Sequence, residues 1–272
     1  MWDFVLLGGD RVHVPTAEVY ILAAWHPSYS RLLGLGSKIG VLWTSSAGEM
    51  DLEPVEQSYL EEIVKDPRIS FIWFGDSSLA QVYPEKGFYA PYPMDPDGVE
   101  PLNVEKQEIA TLFCPTGIKK NILNQLLAMK LVQKERKLTL HTNVVGYDYL
   151  LSNNIPGEGL DCVRHSWLPQ EEYYRLLASA RINLACSWCE TFNYNVAEAG
   201  LLGTPSVISP TIGIPGIRAK NQNSPLEIAE KTLYLISDEE VYKEVLESIR
   251  GYLRARNVQA RDILSEKLSS LR

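Results

Sequence analysis

The feature that most constrains this chain is a rhythm. Between Ile109 and Ile208, short apolar runs alternate with segments whose apolar residues recur at helical spacing. The runs are Ile109–Cys114, Leu138–His141, Cys162–His165, Ile182–Cys186 and Ser206–Ile208, and Asn121–Gln133, Tyr147–Leu151, Gln170–Ala178 and Asn195–Leu202 lie between them. Strands joined through helices lie parallel, because a tight turn cannot connect a parallel pair. Parallel strands are covered on both faces, so they read as unbroken apolar runs rather than alternating ones. The pattern therefore predicts an α/β fold in which loops at the carboxyl ends of the strands bind the ligand.

Upstream the same alternation is less regular. Strand-like runs occur at Phe4–Leu7, Val19–Trp25, Ile39–Trp43 and Ile69–Phe74, and Pro54–Val64 spaces Val55, Tyr59, Leu60 and Ile63 as one face of a helix. The stretch Tyr83–Pro101 carries Pro84, Pro91, Pro93, Pro96 and Pro101. Such a segment cannot pair as a central strand and reads as a linker. Two α/β blocks on either side of it predict two Rossmann-like domains facing a cleft, one over residues 1–105 and one over 106–238. Residues 239–272 are helical by pattern.

Composition narrows the function. A net charge of −8 opposes non-specific binding to nucleic acid, which needs a basic footprint. Apolar runs such as Val19–Trp25 fall short of the roughly 20 residues of a membrane span, and Met1-Trp2-Asp3 lacks the basic start of a secretory signal. The expectation is a soluble, cytoplasmic protein with weak or no membrane association, for which a homo-oligomer stays open. Basic clusters at Lys119–Lys137 and Arg250–Arg272 read as solvated helix faces. Cys114, Cys162, Cys186 and Cys189 give no second close pair for zinc and read as strand-packing residues, so no metal is expected. His13, His141 and His165 show no ligand spacing.

Two stretches carry chemistry. In Ser187-Trp-Cys-Glu190-Thr-Phe-Asn193, a strand end and turn lead to a helix that Thr191 or Asn193 can cap, with Gly203 and Pro205 beyond its far end. The free N–H groups near Phe192–Tyr194 would then form an anion site. Glu190 in the turn and Glu198 one turn into the helix can both border a bound molecule, although for the pair alone a capped helix with an ordinary acidic first turn is the better explanation. The second stretch, Cys114-Pro-Thr-Gly117-Ile-Lys119-Lys120-Asn121, places two lysines at a helix start. There they oppose the helix dipole unless an anion compensates.

These residues resemble a family. Glu190-x7-Glu198 followed by Ala-Gly-Leu-Leu-Gly-Thr-Pro205 looks like the signature of retaining GT-B glycosyltransferases of family 4, and the likeness extends over residues 109–210 through Lys120-Asn121, Val163–Glu172 and Leu177–Cys186. The resemblance implies a nucleotide-sugar donor, transfer to an acceptor hydroxyl with retention, and no cofactor or metal. It implies that Lys120, helped by Lys119, holds the donor diphosphate, that Glu198 holds the ribose, and that Glu190 lies beside the sugar. Ser187, Thr191, Phe192 and Asn193 would then line the donor site, and the last helix would return to the N-terminal domain. Gly9 of the Gly8-Gly9 pair falls where the family has a loop near the donor phosphates, and His26 would face the cleft from the acceptor side. Two departures stand out: Cys114-Pro115 replaces the family's Gly-Arg, and Asn193 replaces the Gly after Phe. Two rival functions remain open at this level, a nucleotide-sugar epimerase and a catalytically weak sugar-nucleotide-binding subunit.

Overall fold

The computed structural model describes residues 19–22, 38–52, 54–114, 117–152 and 159–270. The predicted strand at Phe4–Leu7, Gly9, His13, Pro115 and His26 lie outside them. The first sheet contains β1 (Val19–Leu22), β2 (Lys38–Trp43), β3 (Ile69–Phe74) and β4 (Gly87–Tyr89), paired in that order and all parallel. Helices α1 (Ala47–Leu52), α2 (Pro54–Lys65) and α3 (Ser77–Val82) connect them. Leu60 and Ile63 of α2 are fully covered and pack with Ile39, Val41, Ile72 and Phe74 of the sheet. Of the four residues that the spacing of Pro54–Val64 puts on one apolar face, these two are buried, whereas Val55 and Tyr59 stand exposed, because the helix turns only its narrower Leu60–Ile63 edge to the sheet.

Strand β4 corrects the reading of Tyr83–Pro101 as linker throughout. Gly87, Phe88 and Tyr89 pair with Ile72, Trp73 and Phe74. An edge strand needs only one ladder, so the prolines at 84, 91 and 93 need only stand outside these three residues.

The second sheet has the order β10-β9-β8-β5-β6-β7, again all parallel, with β5 (Ile109–Leu112), β6 (Thr139–Thr142), β7 (Cys162–Arg164), β8 (Ile182–Ala185), β9 (Ser206–Ile208) and β10 (Ile217–Arg218). A 3-10 turn, Ile118–Lys120, and α4 (Ile122–Glu135) follow β5, and α5 (Asp148–Leu151), α6 (Gln170–Ser179), α7 (Tyr194–Leu201) and α8 (Pro225–Ser237) complete the layers. Every residue of β5 and β8 is buried, as strands covered on both faces require.

The chain closes with α9, 32 residues from Glu239 to Ser270. Its first half lays Val245, Ile249 and Leu253 into the core around the second sheet. Helix α7 comes so close there that a Cβ on Gly200 would meet Ile249 Cδ1 at 2.4 Å. Farther along, Leu264 packs with Trp73, Ala90 and Tyr92 beside the first sheet. The helix thus ties the two sheets together. Phe192, in the loop before α7, packs against both of these clusters.

Candidate active site

The site is assembled at the carboxyl ends of β5 and β8. After β5 the chain turns through Gly117, whose φ of 117° no side chain tolerates well, into the lysine turn. Two buried amides fix that turn to the loop after β8. Gln125 donates to the Lys120 carbonyl at 2.7 Å and accepts from the Cys186 N–H at 2.8 Å. Asn121, in the left-handed conformation at φ 51°, donates to the Cys186 carbonyl at 3.0 Å. The Trp188 N–H closes the arrangement on the Lys119 carbonyl at 2.7 Å. The two sequence stretches singled out above are therefore one structure.

Between them lies a cavity of about 250 Å³, lined by Leu112, Phe113, Cys114, Lys120, Gln125, Leu184, Ala185, Ser187, Glu190, Phe192, Asn193, Tyr194 and Asn195. Lys120 is ion-paired with Glu190, which also accepts from Ser187 Oγ at 2.9 Å and Asn193 Nδ2 at 3.4 Å. Asn193 caps α7, its Oδ1 accepting the Val196 N–H at 3.1 Å. Of the two candidate caps, Asn193 is the one used. Burial pushes the Cys114 thiol up to about 12, so it lines the cavity as an apolar, protonated group.

Each remaining predicted residue has a definite place. Lys119 does not line the cavity; it is ion-paired with Glu49 of α1, across from the first sheet. Thr191 also reaches across, its Oγ1 donating to the Thr44 carbonyl at 2.7 Å. The loops after β2 and β8 therefore meet, and the carboxyl ends of the two sheets face one another. The dipole conflict expected at the lysine turn is met within the protein, because each lysine has a carboxylate partner.

Glu198 is held away from the cavity lining. Tyr173 and Tyr174 donate to its two oxygens at 3.1 and 3.3 Å, and Asn195 donates to the Tyr173 hydroxyl at 2.8 Å. Burial raises the Glu198 pKa, and the two tyrosine hydrogen bonds work against that rise. The Tyr173 ring stands edge-on to Phe113, 5.4 Å between centroids at 88°, so Glu198 borders the cavity through an aromatic wall.

Several site residues escape sequence reading. Glu49 carries a signal, since Ser46-x-x-Glu49 is a capping box and forms as one: the Ser46 N–H donates to Glu49 Oε2 at 2.7 Å and the Glu49 N–H to Ser46 Oγ at 3.2 Å. Nothing local announces its reach to Lys119. His141 and His165 meet at 3.0 Å, Nδ1 to Nε2, because β6 and β7 pair side by side. Burial lowers both pKa values, and among the described residues no group of three or more metal-ligating side chains occurs. Arg256 of α9 lies 4.8 Å from the centroid of Phe192, whose position against α9 required the tertiary fold.

No protein-family model and no curated protein sequence matches this chain. Solved structures do resemble it. A UDP-forming α,α-trehalose-phosphate synthase from Burkholderia xenovorans, in complex with glucose-6-phosphate, superposes with a TM-score of 0.70 over 92% of this chain and 74% of that one, at 10% identity. Anabaena Alr3699/HepE in complex with UDP-glucose gives 0.70 over 93% and 79%, at 13% identity. Trehalose-6-phosphate from E. coli bound with UDP-2-fluoro glucose gives 0.62 over 87% and 69%, at 11% identity. At such identities the likeness establishes the fold, two Rossmann-like domains facing a cleft, which is the GT-B arrangement.

Proposed function

We propose that the chain is a glycosyltransferase that moves a sugar from a nucleoside-diphosphate donor to an acceptor hydroxyl, with retention as its resemblance to family 4 implies. One observation carries the reading: the cavity beside Lys120 combines a cation, a capped helix start and a buried carboxylate where two parallel sheets face each other. Two fold neighbours bound to UDP-glucose or UDP-2-fluoro glucose support the donor class.

The residues divide the work by charge. Lys120, with the free N–H groups at the start of α7, stabilises negative charge growing on the leaving diphosphate, an interaction stronger in the transition state than in the ground state. Glu190 and Asn193 face the sugar. Glu198, oriented by Tyr173 and Tyr174, takes the ribose hydroxyls, for which charge-assisted hydrogen bonds suit a carboxylate. Approach of the two sheets excludes the water that would hydrolyse the donor.

Thermal stabilisation by uridine, guanosine and adenosine diphosphate sugars tests this directly, because a ligand at 100 times its Kd adds about 2.7 kcal/mol. One donor should stabilise the protein, and Lys120→Met should abolish the effect. Stabilisation by none of them would end the reading. Replacement of the family's Gly-Arg by Cys114-Pro115 favours a second reading, a sugar-nucleotide-binding subunit with weak catalysis. Tight binding without transfer or hydrolysis would select it, and an acceptor-independent change in the donor would select an epimerase.

A further inference from the structure

Two adjacent lysines form the only positive charges on the lysine turn, and both are engaged by carboxylates with 7% of their side-chain surface exposed. The two carboxylates differ in origin. Glu190 belongs to the same half of the molecule as the turn and keeps Ser187 and Asn193 as partners if Lys120 leaves it. Glu49 arrives from the other half, on α1.

Glu49 is also held independently of its lysine. The Ser46 N–H donates to Glu49 Oε2 and the Glu49 N–H to Ser46 Oγ, which leaves Oε1 for Lys119. The Trp188 N–H and the Gln125 side-chain amide hold the lysine turn through the Lys119 and Lys120 carbonyls, which leaves the long Lys119 side chain, 25% exposed, as the part with room to move. Lys119 cannot serve Glu49 and a bound anion at full strength together.

We propose that Glu49 is a built-in competitor for the anion site. A diphosphate entering at Lys120 draws Lys119 away from Glu49, and the carboxylate remains in place, covered and short of its counter-charge. That cost selects ligands with more than one negative charge over monoanions. It also links occupancy of the site to the seam between the halves, where Thr44 meets Thr191 and Gly48 lies against Cys189. Glu49 is thus a positioning residue that acts through Lys119. The inference rests on the proposed diphosphate site.

The test is calorimetric titration of the full chain with inorganic pyrophosphate, for the wild type, Glu49→Gln, Lys119→Met, the double variant of these two, and Lys120→Met. Releasing Lys119 should tighten binding about tenfold in Glu49→Gln, the factor expected when roughly one-tenth of the unliganded protein is binding-competent. In the Lys119→Met background the same change should matter about twofold or less, since only the loss of a nearby negative charge remains. A purely structural role for Glu49 would shift both backgrounds alike. If Glu49→Gln does not fold, Glu49→Asp, which withdraws the charge by one methylene, has to show the tightening. Unchanged or weaker binding in the Glu49 variants, with Lys120→Met still abolishing it, overturns the competition and leaves the diphosphate site standing. Undiminished pyrophosphate binding by Lys120→Met removes the site and this proposal with it.

Discussion

Replacing Lys120 with Met should destabilise the empty protein, and the structure limits by how much. The change strands Glu190, whose side chain is 7% exposed. Breaking a buried ion pair by removing one partner typically costs about 3–5 kcal/mol. Two features reduce that figure. Ser187 Oγ at 2.9 Å and Asn193 Nδ2 at 3.4 Å still donate to the carboxylate, and the lysine, 23% exposed, leaves room through which water reaches it. A loss of about 1–3 kcal/mol is therefore expected, with most of it recovered in Lys120→Met/Glu190→Gln, where no charge is stranded. Thermal and urea unfolding of the wild type, Lys120→Met, Glu190→Gln and the double variant, read as differences, measure both quantities. Nucleoside-diphosphate binding should be lost in Lys120→Met and the double variant alike, so stability returns while binding does not. A Lys120→Met protein as stable as the wild type, or a double variant no more stable than the single, would refute the stranded-charge argument.

Other predictions follow from particular contacts. Glu198→Gln should weaken donor binding by about 1.5–3 kcal/mol, the worth of hydrogen bonds to a charged group, as read by calorimetry. Because burial raises the Glu198 pKa, the folded protein binds the extra proton above the unfolded value; stability falls as pH rises through that window, and thermal melts of Glu198→Gln should lack this component. Lys106 behaves in the opposite sense: burial lowers its pKa from 10.5 to about 8 while it donates to the Ala180 carbonyl and Thr204 Oγ1, so between pH 8 and 10.5 the unfolded chain holds the extra proton. Wild type should gain stability relative to Lys106→Met across that range, and a difference independent of pH would contradict the burial. Gly200→Ala should cost about 1–3 kcal/mol through its clash with Ile249, with part returned by Ile249→Val in thermal melts.

Much of the C-terminal half is legible because its central strands β5, β8 and β9 are buried on both faces. Ile182–Cys186 was read one residue longer than β8, and Ser206–Ile208 coincides with β9. The lysine turn and the Glu190 loop are both legible as strand-end loops, since each sets turn residues between an apolar run and a helical segment. Strand β4 was hidden among prolines, and β10 is too short, at two residues, to carry a pattern. Glu198 is legible as a candidate carboxylate, whereas its two tyrosine partners, on a different helix 24 and 25 residues away, are not.

What the sequence by itself determined was periodicity and punctuation: where most strands and helices lie, where loops interrupt them, and that a lysine-bearing turn stands after β5. Those properties depend on residues within a few positions of one another, where backbone sterics, capping and apolar spacing act. Only the tertiary structure decided which charges meet. Lys119 and Glu49 are separated by 70 residues, as are Lys120 and Glu190, and the His141–His165 contact required β6 and β7 to be neighbours. Strand order and the placement of α9 across both sheets arise from the burial of whole faces. Burial depends on total apolar area and leaves no mark at the residues it brings together.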